Sequence, residues 1–363
     1  MKRIFIIISV ILLLLSFSIS AFAIDADLEE VWDSTDEQTK EYLEDLGINE
    51  LTLEEIFDLS PTRVIEFLIE LAFNGGVTIV KNLTVIIVVL VITAIANSFL
   101  RESDKTEQIV YFVSTLIIIS IVVVPISRMI TDAVAGIKTS TVFVNSYLPV
   151  MTAIIIASKN PALAVTYNSF SLFLSSLISN VANSFLVPCV SALLSFNILS
   201  SFSFENYRER IIKAIRKMIV VILSLFSTVY TGLLTTQSIL ATSSDSIALK
   251  GIRFISGAFV PIVGGGVGDA LSSVFSSFLI MKNTLGVFVI IVIILINLPV
   301  MLELLLWYFA LNLCSIVSSM FNLNQITDII DSLASILSLL NIIMFFITFV
   351  LVISTGVIIL MGK

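Results

Sequence analysis

A few ionisable side chains occur in the otherwise apolar second half of the sequence. Asp269 follows a glycine-rich stretch, Lys282 and Asn283 come soon after it, and Glu303 lies in an apolar run just past Pro299. Ionisable groups at membrane depth are costly and often line an ion or substrate path. A carboxylate at a helix start can instead simply complement the helix dipole. We therefore expect a polar path or cation site here, or plain capping for Asp269 and an interfacial place for Glu303.

Catalysis is not expected from this sequence. The chain has no histidine, so imidazole acid–base chemistry and Ser-His-Asp triads are excluded. The glycines at 264–268 are not followed by Gly-Lys-Ser/Thr, so they do not form a phosphate loop. Cys189 and Cys314 lie singly in apolar stretches, without metal-ligand spacing. We predict no enzyme activity, no metal and no cofactor.

The composition predicts an all-α, polytopic membrane protein. Hydrophobic residues make up 58% of the chain and charged residues 13%, with a mean hydropathy of +1.11. Water-soluble domains carry roughly 25% charged residues, so most of this chain must face lipid. The net charge of −8 comes from one acidic segment, and this acidic balance argues against a nucleic-acid partner, whose binding needs basic patches.

Apolar runs predict about eight spans, since one span needs roughly 20 such residues. The Leu285–Val317 run is too long for one straight span, and Pro299 within it predicts a kinked long helix or two short ones. The predicted spans are Leu83–Leu100, Ile109–Ile126, Val142–Ala157, Ala162–Ile178, Phe185–Phe204, Met218–Leu240, Leu285–Val317 and Ile336–Met361.

The N-terminus is typical of a secretory signal peptide over residues 1–23, or alternatively of an uncleaved anchor. Residues 24–80 then form an acidic segment, in which Lys40 is the sole base between Asp25 and Asp58. Short helices are predicted here: a capping box at Ser34 and Glu37, a stop at Gly47, a new start at 60–61 and a break at 74–76. This segment is either a solvated cap or a docking surface for another envelope protein.

A basic loop at 205–217 divides the first transmembrane bundle, residues 81–240. Its bases predict a cytoplasmic position by the positive-inside rule, which places the acidic segment outside the cell membrane. Isoleucines at helical spacing make the loop amphipathic, so it either rests on anionic lipid head groups or docks a protein. The candidate anchor residues are Arg208, Arg210, Lys213, Arg216 and Lys217.

Residues 241–284, which precede the C-terminal spans at 285–363, have a composition that does not suit a lipid-facing helix. Glycines and a proline, including Gly257, Pro261 and Gly264, are incompatible with a continuous lipid-facing helix. Broken backbone at membrane depth is tolerated only beside protein or water. We predict two short helices around a Gly-rich turn, re-entrant or interfacial, with Asp269 able to pair with Lys282.

The same region resembles the stage III sporulation protein AE family of endospore-forming Firmicutes. The resemblance rests on one ordered run of residues and on the layout of the whole chain. The run comprises Phe254, Gly257, Phe259, Pro261, Val263, Gly264, Asp269, Ala270, Lys282, Asn283 and Gly286.

The resemblance implies a membrane-embedded, permease-like part of the channel or secretion-like complex between mother cell and forespore. Its implied partners are other stage III sporulation proteins, a forespore-side protein and, during biogenesis, a YidC-type insertase. It implies a multi-pass location in the mother-cell membrane around the forespore. A non-conducting scaffold and an independent secondary transporter are the alternatives. The candidate pore or structural residues are Gly257, Pro261, Gly264, Asp269, Lys282, Asn283 and Glu303.

Overall fold

The protein folds into long helices. A computed structural model describes residues 29–52, 55–56, 58–99, 104–158, 161–200, 210–232 and 264–360, and none of these residues lies in a strand. The all-α prediction is confirmed. The helices are α1 (Glu37–Asp45), α2 (Pro61–Phe99), α3 (Asp104–Ala157), α4 (Pro161–Val181), a π-helical segment (Ala182–Leu186), α5 (Val187–Ser200), α6 (210–232), α7 (Gly264–Met320) and α8 (Asn324–Leu360).

Five helical stretches of the described chain are long and apolar enough to cross a membrane, against the eight spans expected. Joined apolar runs account for two of the three missing spans, and the third, Met218–Leu240, extends beyond the described residues. Ile109–Ile126 and Val142–Ala157 both belong to α3, and α4 continues through the π-helical segment into α5. Polar residues between two apolar runs do not end a helix when they keep helical hydrogen bonding and pack against neighbours.

The longest helices exceed one bilayer. α3 has 54 residues and α7 has 57, which at 1.5 Å per residue is about 80 Å. A hydrocarbon core is only about 30 Å thick, so part of each helix lies outside it. In α3, two apolar ends flank a polar centre at residues 127–141. We call the level of the bundle at these residues the waist.

α7 and α8 form an antiparallel hairpin closed by a tight turn. Asn322 adopts φ 56°, its N–H donates to Ser319 O at 3.0 Å, and Leu323 N–H donates to Ser318 O at 3.1 Å. These two bonds form a Schellman motif, which pairs carbonyls that the end of α7 leaves open. α3 packs against α2, α4, α7 and α8 and therefore lies centrally.

The remaining helices lie on different sides of this core. α2 packs against α3 and α7. α6 reaches α4 through the rings of Phe170 and Tyr230, 6.5 Å apart, and α8 through Phe226 and Phe346, 5.6 Å apart. Tyr230 also donates a hydrogen bond to Val350 O at 3.0 Å.

α1 is capped by a different residue from the predicted one, but it ends where predicted. The cap is Asp36, whose carboxylate accepts from Thr39 N–H at 3.1 Å. The capping box at Ser34 is wrong, because the Ser34 hydroxyl donates to the Val31 carbonyl instead. The stop at Gly47 is confirmed by its φ of 87°, a left-handed conformation that glycine adopts without cost.

α2 begins where expected and continues further. Ser60 caps it by accepting from Arg63 N–H at 3.2 Å, and Pro61 occupies the first helical position. The break predicted at 74–76 is wrong, since α2 runs unbroken to Phe99. Two glycines cost roughly 1 kcal/mol each in a helix, which the long apolar run that follows outweighs.

The course of α7 decides two predictions about the C-terminal half of the chain. Pro299 lies inside one continuous helix, so the long-helix alternative is correct. The turn predicted at 264–268 is wrong, because these residues form the start of α7. The rest of the Gly/Pro-broken segment, at 241–263, and the signal peptide at 1–23 lie outside the described residues.

Candidate functional site: a polar cavity at the waist

A cavity of about 280 Å³ lies between α1, α3 and α7 at the waist. It is lined by polar and charged side chains in a bundle whose other buried residues are mostly apolar. Its lining residues are Asp36, Gln38, Thr39, Tyr42, Arg128, Asp132, Ala135, Gly136, Thr139, Leu295, Ile296, Pro299, Val300 and Glu303.

The charges of the cavity have both signs. Arg128 Nε lies 3.4 Å from Asp132 Oδ2, one turn along α3. Glu303, half-buried, adds a carboxylate from α7. Pro299 has no N–H, so the carbonyl of Leu295 lacks its helical donor and becomes an acceptor beside the cavity. With Asp36, the lining has three carboxylates against one guanidinium, so together with the spare carbonyl it suits polar groups that carry a positive charge.

α1 is held on the bundle by aromatic contacts at both ends. Before α1, the Trp32 ring lies 5.7 Å from that of Phe288 on α7. The Tyr42 ring meets Phe67 of α2 edge-on at 5.4 Å. The side chains of Leu43 and Leu46 are also buried. The acidic segment is therefore packed against the protein's own bundle as one wall of the cavity, and its docking of another envelope protein stays a prediction.

Gly136 and Asn297 bring α3 and α7 together beside the cavity. Asn297 Nδ2 donates to Ser140 Oγ and to Ile293 O, each at 2.8 Å. A Cβ at position 136 would lie 3.2 Å from Asn297 Oδ1. Within the described residues this buried Oδ1 has no hydrogen-bond partner. The glycine therefore permits a close helix approach at the point where the cavity ends.

A row of buried hydroxyl groups continues from the waist between α3 and α4. Tyr167 and Tyr147 join their hydroxyls at 2.8 Å, and Tyr147 reaches Thr355 at 3.1 Å. Ser175 Oγ donates to Thr141 O at 3.2 Å. This row was not predicted from the sequence, although residues 167, 171, 175 and 179 of α4 carry hydroxyls at regular four-residue spacing. Such bonds connect helices where lipid supplies no hydrophobic drive.

The predicted ionisable residues do not form one site. Glu303 lines the cavity, whereas Lys282 is buried elsewhere in α7, with 1% of its surface exposed. They are 21 residues apart in one helix, about 31 Å by helical rise. Asn283 lies beside Lys282 and is half-buried.

Asp269 and Gly264 belong to the backbone of α7. The predicted pairing of Asp269 with Lys282 is wrong, because 13 residues of continuous helix separate them by about 20 Å. Gly257 and Pro261 lie outside the described residues, as does Arg208.

The basic residues Arg210, Lys213, Arg216 and Lys217 lie exposed on the first turns of α6. No group of three Cys, Asp or Glu side chains suited to a metal ion occurs among the described residues.

The long helices define an α-helical membrane protein, with a polar cavity open on one side between three of its helices. The sequence profile of stage III sporulation protein AE matches residues 39–362. The chain therefore belongs to the stage III sporulation protein AE family, which implies a role in sporulation.

A relative from this family gives a second comparison. The chain is similar to stage III sporulation protein AE of Bacillus subtilis (strain 168), at 23% identity over 197 residues. The match covers 54% of this chain and 49% of the relative, so it spans about half the length of that protein. No solved structure matches the chain.

Proposed function

We propose that this protein is a membrane-embedded, permease-like subunit of the channel complex between mother cell and forespore, and not an enzyme. The waist cavity carries the proposal, because it gathers polar and charged groups between helices of an apolar bundle, and such groups are often found along a path for polar solutes. Other stage III sporulation proteins, a forespore-side protein and a YidC-type insertase are its proposed partners. We propose that the protein lies in the mother-cell membrane around the forespore, with α1 on the extracytoplasmic side.

Filling the cavity tests this proposal. Thr139 lines the cavity, whereas Ser146 is exposed on the same helix two turns later. Thr139→Trp should abolish forespore gene expression and spore yield at a normal membrane level of the protein. Ser146→Trp, the matched control, should leave both unchanged. Normal sporulation of the Thr139→Trp strain would refute a conducting role for the cavity.

A non-conducting scaffold is the second candidate. α2 supports this alternative, because only 22% of its most apolar stretch of 18 residues is buried. A long face of this helix is therefore available to other subunits. A scaffold predicts that Thr139→Trp is tolerated, while changes on the outer face of α2 prevent co-purification of the other complex subunits.

A further inference from the structure

The waist cavity contains one carboxylate whose charge no described side chain balances. Arg128, the base of the lining, lies 3.4 Å from Asp132 on the same helix. Asp36 accepts hydrogen bonds from the N–H and the hydroxyl of Thr39, at 3.1 and 2.8 Å. Glu303 is half-buried, and among the described residues it forms no hydrogen bond and no ion pair within 4 Å. The lining therefore keeps a negative charge at Glu303.

A main-chain oxygen about two turns away on α7 is a second acceptor. Pro299 has no N–H to donate to the carbonyl of Leu295, and both residues line the cavity. The Cα–Cβ bonds of an α-helix tilt toward its N-terminus, so the side chain of Glu303 leans back toward Pro299 and this carbonyl. A charged oxygen and a neutral oxygen of one helix thus lie beside the same space.

A third acceptor lies where α3 and α7 meet at the end of the cavity. The Asn297 side chain is 1% exposed, and within the described residues its Oδ1 has no hydrogen-bond partner. This Oδ1 and the carbonyl oxygen of Ile296 lie 3.2 and 3.8 Å from the place of a Cβ on Gly136, and Gly136 lines the cavity. A buried acceptor without a donor is costly, so this end of the cavity favours a ligand that carries N–H groups.

These acceptors select the chemical class of the ligand. Three carboxylates against one guanidinium disfavour an anion, and a neutral ligand would leave Glu303 without a counter-charge. A calcium ion takes about six to eight oxygen ligands, whereas no group of three acidic side chains suited to a metal occurs in the described part of the chain. An ammonium group donates hydrogen bonds in three directions and therefore matches oxygens that stand apart.

The remaining lining and the size of the cavity suit a short aliphatic body. Ala135, Ile296 and Val300 give the cavity an apolar side. Pockets for drug-sized ligands measure roughly 300–1,000 Å³, so a cavity of about 280 Å³ takes a smaller molecule.

We propose that the waist cavity binds a small aliphatic molecule through a primary ammonium group, which pairs with Glu303 and donates to the carbonyl of Leu295. As a statement of what the protein conducts, this inference rests on the proposed function. The binding itself is measurable without it.

Binding of 1,5-diaminopentane to the full chain tests the inference. The protein is placed in nanodiscs of phosphatidylcholine, which carries no net charge, and is titrated by calorimetry in sodium chloride solution. The wild-type chain should bind the diamine saturably. Glu303→Gln should weaken binding at least about tenfold, because a charge-assisted hydrogen bond is lost. Glu44→Gln removes an exposed carboxylate of α1 outside the lining, and this control should bind like the wild type.

Pro299→Ala separates binding from folding. Alanine restores an N–H to the carbonyl of Leu295 and favours the helix. The variant should therefore keep its helical circular dichroism and bind the diamine about threefold to tenfold more weakly. Unchanged affinity in Pro299→Ala or in Glu303→Gln would overturn the proposal. So would equal binding of 1,5-pentanediol, displacement of the diamine by calcium chloride at equal ionic strength, or no saturable binding by the wild type.

The outcome is separable from the test of the proposed function. If the diamine does not bind while Thr139→Trp blocks sporulation, this inference is wrong and the conducting role stands. If binding depends on Glu303 while the Thr139→Trp strain sporulates normally, the ammonium site stands and the conducting role is wrong.

Discussion

Gly286 is predicted to be favoured over a larger residue because the Ile359 side chain of α8 lies directly over it. A Cβ at this position would lie 2.5 Å from Ile359 Cγ1 and 2.8 Å from its Cδ1, well inside ordinary contact distance. Gly286→Ala therefore forces Ile359 or the helix to move, an overpacking cost of about 1–3 kcal/mol. Alanine recovers roughly 1 kcal/mol of helix propensity, so the net destabilisation is about 0–2 kcal/mol.

Gly76 is the matched control. It lies inside α2 with nothing within 4 Å of an added Cβ, so Gly76→Ala should stabilise the protein by up to about 1 kcal/mol. The difference between the two substitutions removes the propensity effect and isolates the clash at about 1–3 kcal/mol. In an Ile359→Ala background, Gly286→Ala should lose its penalty, which gives a coupling energy of the same size.

Denaturant unfolding in micelles measures these energies. The fluorescence of Trp307, buried in α7 with 2% of its surface exposed, reports the packing of this helix, and Trp32 is the chain's other tryptophan. If Gly286→Ala is as stabilising as Gly76→Ala, or if Ile359→Ala brings no relief, the close approach of α7 and α8 is refuted.

Other predictions use the same unfolding assay. Asn322→Gly should be neutral or stabilising, whereas Asn322→Val should cost at least about 1 kcal/mol, because a β-branched residue resists positive φ. Tyr147→Phe should cost about 1–3 kcal/mol by leaving buried hydroxyls unpaired, and the double change with Tyr167→Phe should cost less than the sum of the single changes. Asp132→Asn should cost under about 1 kcal/mol, because its pair with Arg128 is largely exposed.

Composition was sufficient to predict the class of fold, and local signals were sufficient for several helix ends. A chain with so few charges must be a lipid-embedded helical protein. Gly47 and Ser60 were located correctly because a left-handed C-terminal residue and a capping hydroxyl act within a few residues. Asp36 was missed as the cap because three capping-type residues, Ser34, Thr35 and Asp36, stand in a row, and only the folded chain selects one.

The candidate site was predictable only in part. Glu303 was found because a carboxylate in an apolar run is conspicuous by itself. Its partners were not, because Asp36, Arg128 and Asp132 belong to distant segments and meet Glu303 only through the packing of α1 and α3 against α7. The buried hydroxyl row of α4 follows a four-residue spacing, but serine and threonine are common in this sequence, so the spacing acquires meaning only when Tyr147 faces it.

Counting apolar windows failed at the waist for a physical reason. Each window of about 20 residues was treated as one crossing, which assumes that a polar interval between windows is a loop. In α3 that interval remains helical, and its Ser140 accepts a hydrogen bond from Asn297 of α7 inside the bundle. Polar side chains with partners inside the bundle need no water, and so they need not end a helix. The interval that resembled a loop is therefore one wall of the cavity.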